Sequence, residues 1–161
     1  GMGNFMNFYT KNGINVFKCE RFHMHASVTF TLLSMAIMEQ SGAIEQAFEL
    51  KKRLTVTHSF PQPIGVSHCV PCPPHSKGVY FKKRGNRPYL SRMVIGQPLP
   101  TNNLTMIFYP EKDSMKLITA WIGDKACPEI GNISRFEEEE NPVESLKEAV
   151  DFWMTHALIE V

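Results

Sequence analysis

Leu104-Thr-Met-Ile-Phe-Tyr109 and Lys116-Leu-Ile-Thr-Ala-Trp-Ile122, joined by the polar turn Pro110-Glu-Lys-Asp-Ser114, decide the architecture. Each run is rich in β-branched and aromatic residues, and two such runs with a short polar link signal a hairpin. Gly123 ends the second run. Apolar residues at successive positions place the pair centrally in a sheet, covered on each face. Thr119 is then a hydroxyl in an otherwise greasy strand. Just upstream stand Lys82, Lys83, Arg84, Arg87 and Arg92, with no acid among them. A β platform beside these cations suits a site that holds phosphate.

Toward the N-terminus, Leu54–Phe60 alternates and reads as a strand, stopped by Pro61-Gln-Pro63. Gly65–Cys72, Gly78–Arg84 and Ser91–Ile95 read as further short strands. Ahead of them, a helix is expected from about Ser27 to Gln40. A second helix follows, with Ser41 as its N-cap, an Ile44, Ala47, Phe48 stripe and Lys51–Arg53 at its C-terminal end. Ile14–Arg21 reads as a short strand, and residues 1–12 as a loosely packed arm whose Gly1 is an expression scar. Beyond Gly123 the chain is irregular until Asn141-Pro-Val-Glu144. There Asn141 can cap, Pro142 fits the first helical position and Glu144 can reach back. Leu146, Ala149, Val150, Trp153 and Ala157 form that helix's apolar face, with His156 on its flank. Helices, an antiparallel sheet of four to five strands and a closing helix make the class α+β.

At 161 residues the chain has the size of one domain, and 43% hydrophobic with 20% charged residues is ordinary for a globular protein. A net charge of +1 means that any nucleic-acid role rests on local charge. The middle is basic, whereas Glu137–Glu140 is an acidic run. Cys19, Cys69, Cys72 and Cys127 follow no secretory segment, so reduced thiols and a cytoplasmic setting are expected. No apolar run is long enough for a membrane span.

His58 falls on a strand and His156 near the last helix. Metal-free RNA cleavage needs a base for the 2′-hydroxyl, a cation for the phosphorane and an acid for the 5′-oxygen. Imidazole can serve as base or acid, and arginine can grip two phosphate oxygens. Either histidine can equally be a surface or hydrogen-bonded core residue. Lys82, Lys83, Arg87 and Arg92, interleaved with Tyr80, Phe81 and Tyr89, combine charge for phosphate with rings for stacking. The ordinary alternative is a solvated strand end that protects a sheet edge. Cys69-x-x-Cys72 with His75 has the spacing of zinc ligands, with Cys19, Cys127 or His23 as a fourth. His23-x-His25 alone is too sparse to read. The chain has no phosphate-cradling glycine loop, no serine nucleophile elbow and no His-Glu-x-x-His.

Ser67-His-Cys-Val70, Tyr80-Phe-Lys-Lys-Arg84, Leu117-Ile-Thr-Ala-Trp-Ile-Gly123 and Phe152-Trp-x-x-His-Ala157 together resemble a group of bacterial and phage-borne proteins. That group is similar to the barnase–EndoU–colicin D–RelE superfamily of small RNases and toxins. The resemblance spans about Leu54–Leu158 and includes a late-strand Thr-Ala pair, here Thr119-Ala120. It implies metal-independent cleavage of RNA through a 2′,3′-cyclic phosphate, without a cofactor. His58 would be base or acid, Arg84 the phosphate clamp, Thr119 a phosphate hydrogen-bond partner and His156 the second imidazole. RNA is the expected partner, and whether a protein inhibitor exists is left open. Two alternatives stand beside the endoribonuclease: a non-catalytic RNA- or protein-binding module, and a zinc-stabilised protein.

Overall fold

A computed structural model describes residues 7–19 and 27–160. The start of the expected N-terminal arm and the His23, His25 pair lie outside the described residues. In chain order the elements begin β1 (Asn7–Tyr9), β2 (Asn15–Lys18), α1 (Phe30–Glu39), α2 (Ser41–Leu50), β3 (Leu54–Ser59), β4 (Gly65–Ser67) and β5 (Cys69–Pro71). They continue β6 (Tyr80–Lys83), β7 (Leu90–Ile95), β8 (Leu99–Thr101), β9 (Asn103–Pro110) and β10 (Met115–Ile122). Last come α3 (Ile133–Glu137), α4 (Pro142–Met154) and β11 (His156–Glu160). The class is α+β. Contacts divide the chain into two compact units, Gly1–Gly65 with Thr101–Lys125, and Val66–Pro100 with Ala126–Val161. β4 and β8 pair as a short ribbon where the chain passes from one unit to the other.

The first unit is a five-stranded sheet in the order β1-β2-β10-β9-β3, with the expected hairpin at its centre. It is antiparallel except for β2 and β10, which run parallel. Leu104, Met106 and Phe108 of β9, with Met115, Leu117, Ala120 and Ile122 of β10, line one face and are buried. Leu33, Ala36 and Ile37 of α1 and Ile44 and Ala47 of α2 complete that core. The period of 3.6 on the helices and the alternation on the strands meet here, which is why this face is dry. Thr29 opens α1, its hydroxyl accepting from the Leu32 amide at 3.2 Å. Ser41 does not cap α2 as expected. It is the first helical residue, and its Oγ donates back to the Met38 carbonyl at 2.7 Å, satisfying an orphan acceptor at the end of α1.

The β1–β2 turn is tied down by Glu45 of α2. Glu45 Oε2 accepts from Thr10 Oγ1 at 2.6 Å and from the Asn12 amide at 3.0 Å, and Oε1 accepts from Asn12 Nδ2. The Thr10 hydrogen bond, opposed by partial desolvation and helped by Asn12, holds the Glu45 carboxyl below the usual carboxylate range. A depressed folded pKa adds stability that is whole above the unfolded pKa and is lost as pH falls through the folded one. Glu45→Gln is therefore expected to destabilise the protein at neutral pH. The gap to wild type should close as acid denaturation midpoints are followed below the carboxylate range. A gap that stays constant with pH would show that Glu45 is not the titrating clamp.

The second unit is a four-stranded sheet in the order β5-β11-β7-β6, in which β11 runs parallel to β7. The closing helix forms where expected, with Asn141 Oδ1 accepting from the Glu144 amide at 3.5 Å and Pro142 at its start. It is not the end of the fold, because β11 follows it. His156 is accordingly the first residue of a strand, and Ala157 is buried on that strand rather than on α4. α4 buries Ala149 and Trp153 against Phe136, and Trp153 Nε1 donates to the Pro128 carbonyl at 3.0 Å. Leu146 and Val150, expected on the buried face, are exposed.

Candidate nucleic-acid interface

The two expected catalytic residues of the first unit do not meet. His58 pairs with Leu104 across β3 and β9, so it lies on the helix-covered face. There Gln40 Nε2 donates to His58 Nδ1 at 3.0 Å, and the buried Phe60 meets the imidazole edge-on at 4.7 Å. Thr119 pairs with Ile107, on the opposite face of the same sheet. The cause is a β-bulge between Leu117 and Thr119. One extra residue, Ile118, inverts the alternation, so that Ala120 and Ile122 turn inward and Thr119 and Trp121 turn outward. A phosphodiester on either face of the sheet reaches one of these side chains and not the other.

The expected residues of the second unit are held by other groups of that unit, His156 by near neighbours in sequence and Arg84 by Ser91 and the distant Glu129. His156 Nδ1 lies 2.9 Å from the Phe152 carbonyl, which only accepts, so this nitrogen carries the hydrogen. Its ring stacks on Phe152 at 4.0 Å, and the residue closes the last turn of α4. Arg84, expected as the phosphate clamp, donates through Nη2 to Glu129 Oε2 at 2.9 Å and through Nε to Ser91 Oγ at 3.1 Å. Arg87 donates to the same Glu129 oxygen at 2.5 Å and lies 5.9 Å from the centroid of Tyr89. Tyr89 packs over Gly131, where any side chain would collide with its Cβ.

Lys82 donates to Glu160 Oε1 at 2.6 Å, and Tyr80 donates to Oε2 at 2.7 Å. The Lys82 and then the Tyr80 hydrogen bonds keep the Glu160 carboxyl below its ordinary range, while the Glu160 bond raises the Tyr80 hydroxyl. Arg92 donates to the carbonyls of Cys72, Pro73 and His156. Of the expected phosphate-binding cations, Lys83 alone is exposed with no bonding partner described. The hairpin of β6 and β7 is basic, but its charge mainly holds the second unit together.

The zinc set Cys69, Cys72 and His75 does not assemble. Cys72 is buried, its amide donating to the Thr155 carbonyl at 2.7 Å, whereas His75 is exposed in a left-handed turn at φ 65°. Among the described residues no three His, Cys, Asp or Glu side chains are grouped to hold a metal ion. No described helix is long and apolar enough to cross a membrane.

What the strand readings left out is the outer face of the first sheet. Register sets three rows on it: Phe17, Lys116 and Tyr109; then Thr119, Ile107 and Thr55; then Trp121, Thr105 and Thr57. Tyr9 and Asn15 extend it across β1 and β2. These rows contain no acid. Tyr109 is 49% exposed, and Lys116 Nζ lies 5.8 Å from its ring centroid. Glu111 bonds Lys116 at 2.9 Å and raises its pKa, so the cation persists at neutral pH. The face is half covered: Thr105 is fully buried, Phe17, Ile107, Thr119 and Trp121 are half-buried, and Tyr9 and Tyr109 are exposed. It presents rings, hydroxyls, an amide and a cation. The Tyr109, Ile107, Thr105 half was readable from alternation; the β10 half was hidden by the bulge.

Comparison with protein-family models, with curated proteins and with solved structures returns no match for this chain.

Proposed function

We propose that the protein binds single-stranded RNA on the outer face of the five-stranded sheet and does not cut it there. The observation that carries this reading is a sheet face on which the exposed Tyr109 and the half-buried Phe17 and Trp121 stand among threonines, with Lys116 held at its edge by Glu111. Unpaired bases stack on aromatic rings, and hydroxyl and amide side chains hydrogen-bond to base edges and to the 2′-hydroxyl. Thr119 serves as one of those hydrogen-bonding groups, the role the RNase resemblance implied for it. Strand scission by His58 and Thr119 is not part of the reading, because they occupy opposite faces. The cytoplasm is the compartment it implies.

Fluorescence anisotropy with a labelled single-stranded oligoribonucleotide tests it. Tyr109→Ala and Trp121→Ala should each weaken binding about tenfold, given roughly 1–3 kcal/mol per stacked base, while Tyr109→Phe should bind nearly as wild type. Salt dependence separates this face from the basic hairpin. Single strands lose affinity with a log–log slope of about −0.7 per neutralised phosphate, so contact through Lys116 should give a slope shallower than about −1. The oligonucleotide should be recovered intact on a denaturing gel run with chelator. Binding unchanged in both alanine variants, or a steep slope abolished by Lys83→Glu, would remove the sheet face as the site.

A further inference from the structure

One cation of the basic hairpin is held in place without being neutralised. Arg92 donates through Nη1 to the carbonyls of Cys72 and His156, at 2.9 and 2.7 Å, and through Nη2 to the Pro73 carbonyl at 3.1 Å. These acceptors fix the guanidinium plane, but none of them carries a charge. Nε–H and one Nη2–H have no partner among the described residues, and no described acid pairs with Arg92. Arg92 is half-buried, so it lacks the counter-charge that partial burial calls for.

Arg92 lines a groove of about 310 Å³ within the second unit. Most of the remaining wall is apolar, made by Phe81, Leu90, Ile130, Val150, Trp153 and Met154. All of these but Trp153 are exposed, so the groove opens to solvent. The one acid in the lining, Glu129, already holds Arg84 and Arg87 on a single oxygen. The ion pairs are complete without Arg92, and the charge left over at the groove is positive. The last turn of α4 does little to offset it, because Thr155 and His156 cap the Asp151 and Phe152 carbonyls. Apolar walls with one placed charge, in a volume near the lower end of ligand pockets, are the make-up of a small-molecule site.

We infer that this groove binds a small apolar carboxylate, an aliphatic or aromatic acid. Arg92 donates from Nε and Nη2 to the two carboxylate oxygens, since neighbouring donors of one guanidinium match a planar anion. The hydrocarbon body lies against the apolar wall. A carboxylate fits better than a phosphate monoester, which carries close to two charges. The described lining holds no lysine and no second arginine to balance the extra one.

Isothermal titration calorimetry of the full chain with octanoate tests it. Octanoate should saturate a single site per chain. Octanol, with the same hydrocarbon and no charge, should bind about tenfold more weakly, the loss of a charge-assisted pair. Val150→Glu puts a carboxylate into the wall at a position that is already 38% exposed. It should weaken octanoate by about tenfold as well, with an unchanged circular dichroism spectrum. Arg92→Lys keeps the charge and loses the paired donors, so octanoate should again bind more weakly. Because Arg92 also ties three carbonyls, the Val150 variant decides the matter if Arg92→Lys fails to fold. No octanoate binding at millimolar concentration overturns the inference. So does octanol binding as tightly as octanoate, or an octanoate affinity indifferent to Val150→Glu. Tighter binding of octyl phosphate than of octanoate would overturn the choice of head group. RNA binding by the first unit does not depend on any of these results.

Discussion

Phe108→Ala is expected to cost about 3–5 kcal/mol of folding stability, the range for removing a fully buried aromatic ring from a core. Phe108 has no exposed surface and stands in register between Leu54 of β3 and Leu117 of β10, on the face that α1 and α2 cover. The neighbouring residue supplies the control. Tyr109 lies on the other face and is half exposed, so Tyr109→Ala should shift stability by about 1 kcal/mol or less. Urea denaturation of the two variants, compared at unchanged m-value, reads the difference directly. Equal costs at the two positions would mean that the outer face is packed as tightly as the inner one, and the proposed RNA surface would lose its basis.

Glu129→Ala is the second large effect. Glu129 is 13% exposed and accepts from both Arg84 and Arg87 on one carboxylate oxygen. Removing it leaves two guanidinium groups, 34% and 42% exposed, beside each other without their shared acid. Breaking a buried pair typically costs about 3–5 kcal/mol, because the abandoned charge stays desolvated. Here the exposed arginines recover water, so about 2–3 kcal/mol is the expected loss. Denaturant midpoints measure it. The triple variant with Arg84→Met and Arg87→Met should regain part of that loss, since it removes the unpaired cations as well. If Glu129→Ala is as stable as wild type, these arginines are not structural and become available to a phosphate again.

The expected phosphate clamp illustrates why sequence reading overcounts basic sites. Five cations between positions 82 and 92 stand out because no acid lies among them. Their counter-charges come from Glu129, 45 residues beyond Arg84, and Glu160, 78 residues beyond Lys82. Nothing local to the hairpin announces those partners. The same holds for His156. A histidine two residues beyond the last helical residue reads as helical from its spacing, but its ring closes the helix and its backbone opens a strand, antiparallel to β5 at Pro71.

Local chemistry alone determined a good deal of this protein. The central hairpin, the second N-terminal helix and the Asn141-Pro142 helix start each follow from short-range rules: β-branched runs around a polar turn, the Ile44, Ala47, Phe48 stripe, and a capping side chain ahead of proline. These are contests between conformations of a few consecutive residues, and the residues that decide them are adjacent. Tertiary structure decided everything that depends on which face a side chain occupies. One bulged residue at Ile118 turned Thr119 and Trp121 outward while His58 stayed inward. Two distant glutamates neutralised part of the basic hairpin. Packing chose Ala149 and Trp153 for the core and left the other apolar stripe of α4 in solvent. Each outcome rests on contacts between segments far apart in the chain, and the free energy of those contacts is absent from any window of the sequence.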